Sequence, residues 1–160
     1  MSNFYKWTPS FTRRLLNIYG PFIGAGVKVN FISEDWKSIE VSMKLRWYNR
    51  NAVGVHFGGS LYSMCDPHLM LMLMRVLGKN YIIWDKAAEI NFISPGKGKV
   101  TCKIDLKESD IKEIKSQTNQ DKPYLHNFEL EVIDEANKIV AKVNKTLYVR
   151  KKRLKQKLNP

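Results

Sequence analysis

Cysteine is scarce: Cys65 and Cys102 are the only two in 160 residues. They form no C-x-x-C pair, which removes zinc-ribbon and thioredoxin-like readings. They read instead as small buried hydrophobes in a reducing compartment. Long apolar runs are also missing. The longest aliphatic stretch, Leu69 to Met74, falls far short of the roughly 20 residues that a membrane-spanning helix needs. Residues Met1 to Trp7 lack the basic-then-apolar layout of a secretion signal, so a cytoplasmic domain is expected. His56, His68 and His126 are the only histidines and stand at no metal-ligand spacing, so no metal is expected. Nothing implies a redox cofactor either.

Acidic residues are the other deficit: 15 Asp and Glu face 27 Lys and Arg, a formal charge of +12. Such a field favours anionic partners: nucleic acid, acidic lipid or a phosphorylated small molecule. No nucleic-acid motif accompanies the charge, so a nucleic-acid partner is not expected. With 44% hydrophobic and 26% charged residues, the chain has an ordinary globular balance and enough length to bury a core. It reads as one domain over residues 1–150 followed by a basic tail, 151–160. Arg150 to Leu158 holds six positive residues. It is read as solvated, the alternative being contact with a membrane surface or with nucleic acid.

Along the chain, Phe11, Leu15, Ile18 and Tyr19 sit at helical intervals, with Ser10 as N-cap and Gly20-Pro21 as the stop. Strands are expected at Val27–Ile32 and at Ile39–Trp47, where Val41, Met43, Leu45 and Trp47 alternate with polar residues. Phe57 to Leu77 reads as one helix, apolar around much of its circumference and therefore buried on several sides. Tyr81–Ile93 reads as a long strand with Val100–Leu106 as its antiparallel neighbour. Residues 109–120 are a short helix or an exposed loop. Two more strands come after it, around Phe128–Val132 and Ile139–Val149. This order makes an α+β domain in which an antiparallel sheet wraps around the apolar helix. The sheet leaves edges, which a second copy of the chain commonly covers.

The chemistry concentrates in residues 49–68. Gly58-Gly59 open the buried helix, so a ligand can approach its free N–H groups, where partial positive charge suits a polarised carbonyl oxygen. Asp66 lies two helical turns further on, and a polarising end plus a carboxylate is a pair suited to acyl hydrolysis.

Asn51, Gly54, Gly58, Gly59 and Asp66 fall on the register N-x-x-G-x-x-H-G-G followed seven residues later by an acid. The stretch thereby resembles the hotdog-fold thioesterases of the phenylacetate-pathway type. The motif histidine falls on Phe57, with His56 one place out of step. Ala88 to Gly96 resembles the family's strand ending in a Pro-Gly turn. F-G-G-S-L-Y-S-M-C-D-P together with W-D-K-A-A is similar to an uncharacterised bacterial thioesterase-like branch. The resemblance implies a hotdog fold around one long buried helix and hydrolysis of an acyl thioester such as acyl-coenzyme A, by a dimer or tetramer. It implies that the Gly58 N–H polarises the carbonyl and that Asp66, from the partner subunit, acts as nucleophile or base. Asn51 would position the reacting groups, with Gly59, Phe57 and Ser60 binding substrate.

Each feature also has a structural reading. Asp66-Pro67 is equally an N-cap followed by proline at the first helical position. Gly58-Gly59 also suits close packing of helix on sheet. The alternating Met70, Met72 and Met74 read as core. Asp85-Lys86 puts two charges into an apolar strand, where they need partners; an ion pair near a subunit interface is expected, the alternative being a ligand contact. Two rival functions remain: a non-catalytic acyl or lipid binder, and a basic binding module using the tail.

Overall fold

A computed structural model describes residues 4–119 and 122–152. Five α-helices and six strands succeed one another as α1 (Pro9–Asn17), α2 (Gly20–Ala25), β1 (Val27–Ile32), β2 (Ser38–Lys44), α3 (Gly58–Ser63), α4 (His68–Leu77), β3 (Tyr81–Phe92), β4 (Lys99–Asp105), α5 (Glu108–Gln117), β5 (Tyr124–Asp134) and β6 (Ile139–Lys151). The strands form one sheet in the order β1-β2-β4-β5-β6-β3, antiparallel at every pairing.

The first helix begins earlier than its apolar spacing suggests. Thr8, not Ser10, is the cap: its hydroxyl accepts the Phe11 N–H at 3.2 Å, and Pro9 takes the first turn, where no N–H is needed. Gly20-Pro21 ends α1 and at the same time opens α2, where a proline in the first turn is tolerated for the same reason. Strand β2 ends at Lys44 rather than Trp47. There the Asn49 side chain accepts the Arg46 N–H at 2.7 Å and donates to the carbonyls of Lys44 and Ala25 at 3.0 and 3.1 Å, replacing ladder bonds with a turn. Gly26, at φ +77°, leaves room for that amide; a Cβ there would lie 2.4 Å from Asn49 Nδ2. Residues 108–117 are helical, with Asp110 accepting the Lys107 N–H at 3.2 Å.

Two corrections concern the elements around the site. The helix expected over 57–77 is two helices, α3 and α4, separated by a turn at Met64–Pro67. Pro67 lacks the N–H that a continuing helix would use, and its ring crowds the carbonyl four residues back. Leu69, Met72 and Leu73 of α4 are fully buried, one apolar stripe at helical spacing against the sheet. The second correction is topological. Strand β3 pairs along its whole length with β6, not with β4, which lies between β2 and β5. A tight hairpin would be needed to pair β3 with β4 directly. Instead the Ile93 and Ser94 N–H groups bind the Val140 carbonyl, and Gly96 accepts the His56 N–H at 3.1 Å, so the link is carried across to the other flank.

The two sheet edges differ. On β1, the Asn17 side chain accepts the Val29 N–H at 2.8 Å and donates to the Val29 carbonyl at 3.0 Å, imitating a neighbouring strand. Arg13 donates to the Asn30 carbonyl at 3.0 Å. On β3, the edge away from β6 pairs with no described strand. Strand β6 runs through Lys151, and Lys152 donates its N–H to the Asn80 carbonyl at 2.8 Å, so the sheet continues past the boundary at 150. The rest of the basic tail, residues 153–160, lies outside the described residues.

Candidate active site

The loop before α3 is organised by Asn51, whose Oδ1 accepts the N–H groups of Val53 and Val55 at 3.1 and 3.2 Å. Phe57 N–H binds the Asn49 carbonyl at 2.9 Å, which anchors the start of the helix. The N–H groups of Gly58 and Gly59 have no partner among the described residues, as the geometry of a helix start requires. No side chain caps them. With only six residues in α3, the long-helix dipole expected from the sequence shrinks to these local N–H dipoles.

Asn51, His56 and Gly58 line a cavity of about 370 Å³ closed by Phe92–Gly96. Gly58 is needed for this fit: a Cβ there would stand 2.7 Å from the Phe92 ring. His56 is buried, with Nε2 3.1 Å from the Gly98 carbonyl and Nδ1 unpartnered. Burial pushes its pKa below the usual histidine value, against the opposing pull of the Gly98 carbonyl. His56 thus occupies the cavity wall, although the motif places its histidine at 57. Phe57, Gly59 and Ser60 line a second, more open depression of about 420 Å³ near Tyr48.

Asp66 lines neither space. The first residue of α4 is His68, its N-cap is Pro67, and no side chain caps it, so the capping reading of Asp66 is overturned. Its Oδ1 accepts the Tyr62 hydroxyl at 2.7 Å and lies 3.1 Å from Lys145 Nζ. Lys145 also donates to the Asp66 backbone carbonyl and lies 2.8 Å from Asp85 Oδ1. The Lys145 side chain is 0% exposed, while those of Asp66 and Asp85 are 45% and 29% exposed. Asp85 therefore has an ion-pair partner within the chain, on the neighbouring strand and not at Lys86. Burial, and secondarily the bond to Asp66, hold the Tyr62 hydroxyl well above the usual tyrosine range. Beside this cluster His68 is fully buried, with no hydrogen-bond partner at either ring nitrogen. Burial, then the Lys145 charge, push its pKa down to about 4.

One helical turn beyond Asp66, Met70 and Met74 line a larger, mainly apolar cavity of about 850 Å³ between α4, Tyr81–Trp84 and Phe4-Tyr5. Lys79 and Lys152 complete its lining. Arg75 pins the N-terminal wall by donating to the Phe4 carbonyl at 3.1 Å.

A six-stranded antiparallel sheet in this order around a central helical segment is the hotdog fold. Residues 8–149 match the family described as a domain of unknown function, DUF4442, and the chain belongs to that family. PA5026 of Pseudomonas aeruginosa, described as a probable thioesterase of unknown function, superposes with a TM-score of 0.78 at 17% identity, covering 89% of this chain and 95% of that one. The thioesterase HI1161 of Haemophilus influenzae gives 0.66 at 18% identity, covering 94% and 95%. The PaaI protein of the E. coli phenylacetic acid degradation operon gives 0.58 at 14% identity, covering 86% and 88%. At these identities the likeness establishes the fold. No curated protein matches the chain.

Proposed function

We propose that the chain hydrolyses acyl thioesters, with acyl-coenzyme A as substrate class and two copies of the chain sharing each site. The observation that carries the reading is the placement of the two halves of the chemistry along one open strand. The Gly58 cavity is bordered by Phe92, at one end of β3, and Asp66 is tied through Lys145 to Asp85, nearer the middle of the same strand. Antiparallel pairing of two β3 edges about a two-fold near Ala88 would bring the Phe92 end of one copy beside the Trp84-Asp85 segment of the other. The free N–H groups would then face the second copy's carboxylate, and neither chain alone would hold a complete site.

In this reading the Gly58 N–H stabilises the oxygen as the carbonyl carbon becomes tetrahedral. Asp66 takes the proton from the attacking water and the C–S bond breaks as the thiolate leaves with that proton. If Asp66 attacks directly, the thiolate leaves first and water then hydrolyses the acyl–Asp66 anhydride, giving the acid and restoring the carboxylate. Asn51 holds the loop that shapes the cavity. The 850 Å³ apolar space starting one turn past Asp66 suits an acyl chain, and the +12 charge suits the phosphates of coenzyme A. That same cavity also suits the rival reading, a binder of acyl groups without turnover.

A panel of acyl-coenzyme A lengths, assayed with wild type and Asp66→Asn, separates the two. Asparagine keeps an oxygen for Tyr62 and Lys145 but supplies no anionic base. Turnover should fall on the order of a hundredfold or more, with the melting temperature nearly unchanged. Undiminished turnover in the variant refutes the mechanism, and a wild type that binds but never cleaves favours the binder.

A further inference from the structure

We propose that Lys145 is the positioning residue of the site, a buried ammonium that holds Asp66 so that one carboxylate oxygen is committed and the other is free to react. The inference rests on the catalytic reading of Asp66 and adds to it the device that aims the carboxylate.

Lys145 occupies an inward position of β6, between Val143 and Leu147, both fully buried. A charge at such a place has a desolvation cost that an apolar residue would avoid, so packing alone does not explain it. An ammonium has three donor hydrogens, and Lys145 has three acceptors within reach. Two belong to one residue, the backbone carbonyl and Oδ1 of Asp66, and the third is Asp85 Oδ1. Holding both the main chain and the side chain of Asp66 fixes its place and its rotamer together.

The surrounding elements are arranged to permit this. In a continuous helix the Asp66 carbonyl would accept a backbone N–H; the break at Pro67 leaves Lys145 as its only donor among the described residues. The register of β3 on β6 slips between Asp85 and Ala87, a bulge of the kind that re-aims a side chain. Tyr62, one helical turn before Asp66, donates to the same Oδ1 at 2.7 Å. Oδ2 has no partner among the described residues, and the side chain is 45% exposed. The carboxylate is thus gripped by one oxygen and open at the other. Two carboxyl groups thus share one amine, each through a single oxygen.

The test uses the full-length chain and the acyl-coenzyme A that the wild type turns over fastest. Lys145→Met keeps the length of the side chain and removes its donors. The two carboxylates left behind both reach solvent, so the fold has water to satisfy them. Misplacing a reacting group by an ångström costs on the order of a hundredfold, so kcat per folded protein should fall by about that factor. KM should stay within about twofold, because Lys145, 0% exposed, offers a substrate no surface to bind. Lys145→Arg, which restores charge and donors, should recover about tenfold over the methionine variant. Tyr62→Phe removes one oxygen and should lower kcat about tenfold, again without moving KM; it decides the question should Lys145→Met not fold. The double variant Asp66→Asn/Lys145→Met should be no slower than Asp66→Asn alone, since both act through one group. If Asp66→Asn is inactive while folded Lys145→Met and Tyr62→Phe keep kcat within about threefold of wild type, the clamp is overturned and the role of Asp66 stands. If Asp66→Asn itself keeps its turnover, the catalytic reading falls and the clamp falls with it.

Discussion

His68 offers a sharp physical test of the interior, independent of any substrate. Its ring is fully buried against Phe22, with centroids 5.7 Å apart, and neither nitrogen finds a partner. Its pKa is about 4 in the folded chain, against 6.5 for a free histidine. Between those values the unfolded chain binds a proton that the native state refuses, so stability rises with pH there and falls as the solution is acidified. The contribution is fully present above pH 6.5 and is lost as pH falls towards 4. Each pH unit below 6.5 costs about 1.4 kcal/mol. The penalty is therefore about 2 kcal/mol at pH 5 and levels off at about 3 kcal/mol below pH 4. His68→Leu keeps an apolar side chain of similar size in the same place and removes the titration. Urea unfolding of both proteins at intervals from pH 8 to pH 5 gives two stability curves, in which every other titrating group cancels on subtraction. The variant should gain about 2 kcal/mol relative to wild type across that range. Parallel curves would refute the reasoning, showing that His68 is protonated or solvated in the native state.

The sheet edges and the shared site give two further expected outcomes. Asn17→Ala removes both hydrogen bonds to Val29 and should cost about 1–2 kcal/mol in denaturant unfolding; no loss would mean that the β1 edge is not sealed by this side chain. Gly58→Ala retains its N–H but sets a methyl group 2.7 Å from the exposed Phe92 ring, which must move and reshape the cavity beside that N–H, so turnover should drop while the protein stays folded. Mixed in equal amounts with Asp66→Asn and allowed to exchange, it should recover about a quarter of wild-type activity. Half the dimers are then mixed, and each of these has one intact site of two. A mixture as inactive as its parents would place the whole site within one chain.

Much of the fold is legible in the sequence because its signals are local. Alternation in Val100–Leu106 and Phe128–Val132 marks half-buried strands whatever their neighbours. Pairing is not local, and the partner of β3 escapes the sequence because nothing in Ser94–Gly98 says that the link docks on Val140. The break between α3 and α4 is visible in Pro67, but the apolar run on either side makes one helix the simpler reading. For the candidate site, the glycine spacing leads to the cavity beside Asn51, whereas the motif register points to 57 and away from His56. Lys145 goes unnoticed in the motif although its signal is present. In Val143, Lys145, Leu147 and Val149 the inward period of β6 carries one lysine among aliphatics, and Asp85 stands in its own strand as a charge in need of a partner.

The unequal edges of the sheet bear on what happens when many copies of the chain meet at high concentration. A sheet with two adhesive borders can add molecules at both and grow into a ribbon. Here Val29 and Asn30 of one border are occupied from within by the Asn17 amide and the Arg13 guanidinium, while the β3 border pairs with no described strand. Two copies joined there, as proposed above, would use up each other's open edge and present the partly covered β1 borders outward. Growth through the strands would then end at a pair, and two side chains of the first helix would separate a finite assembly from a fibre.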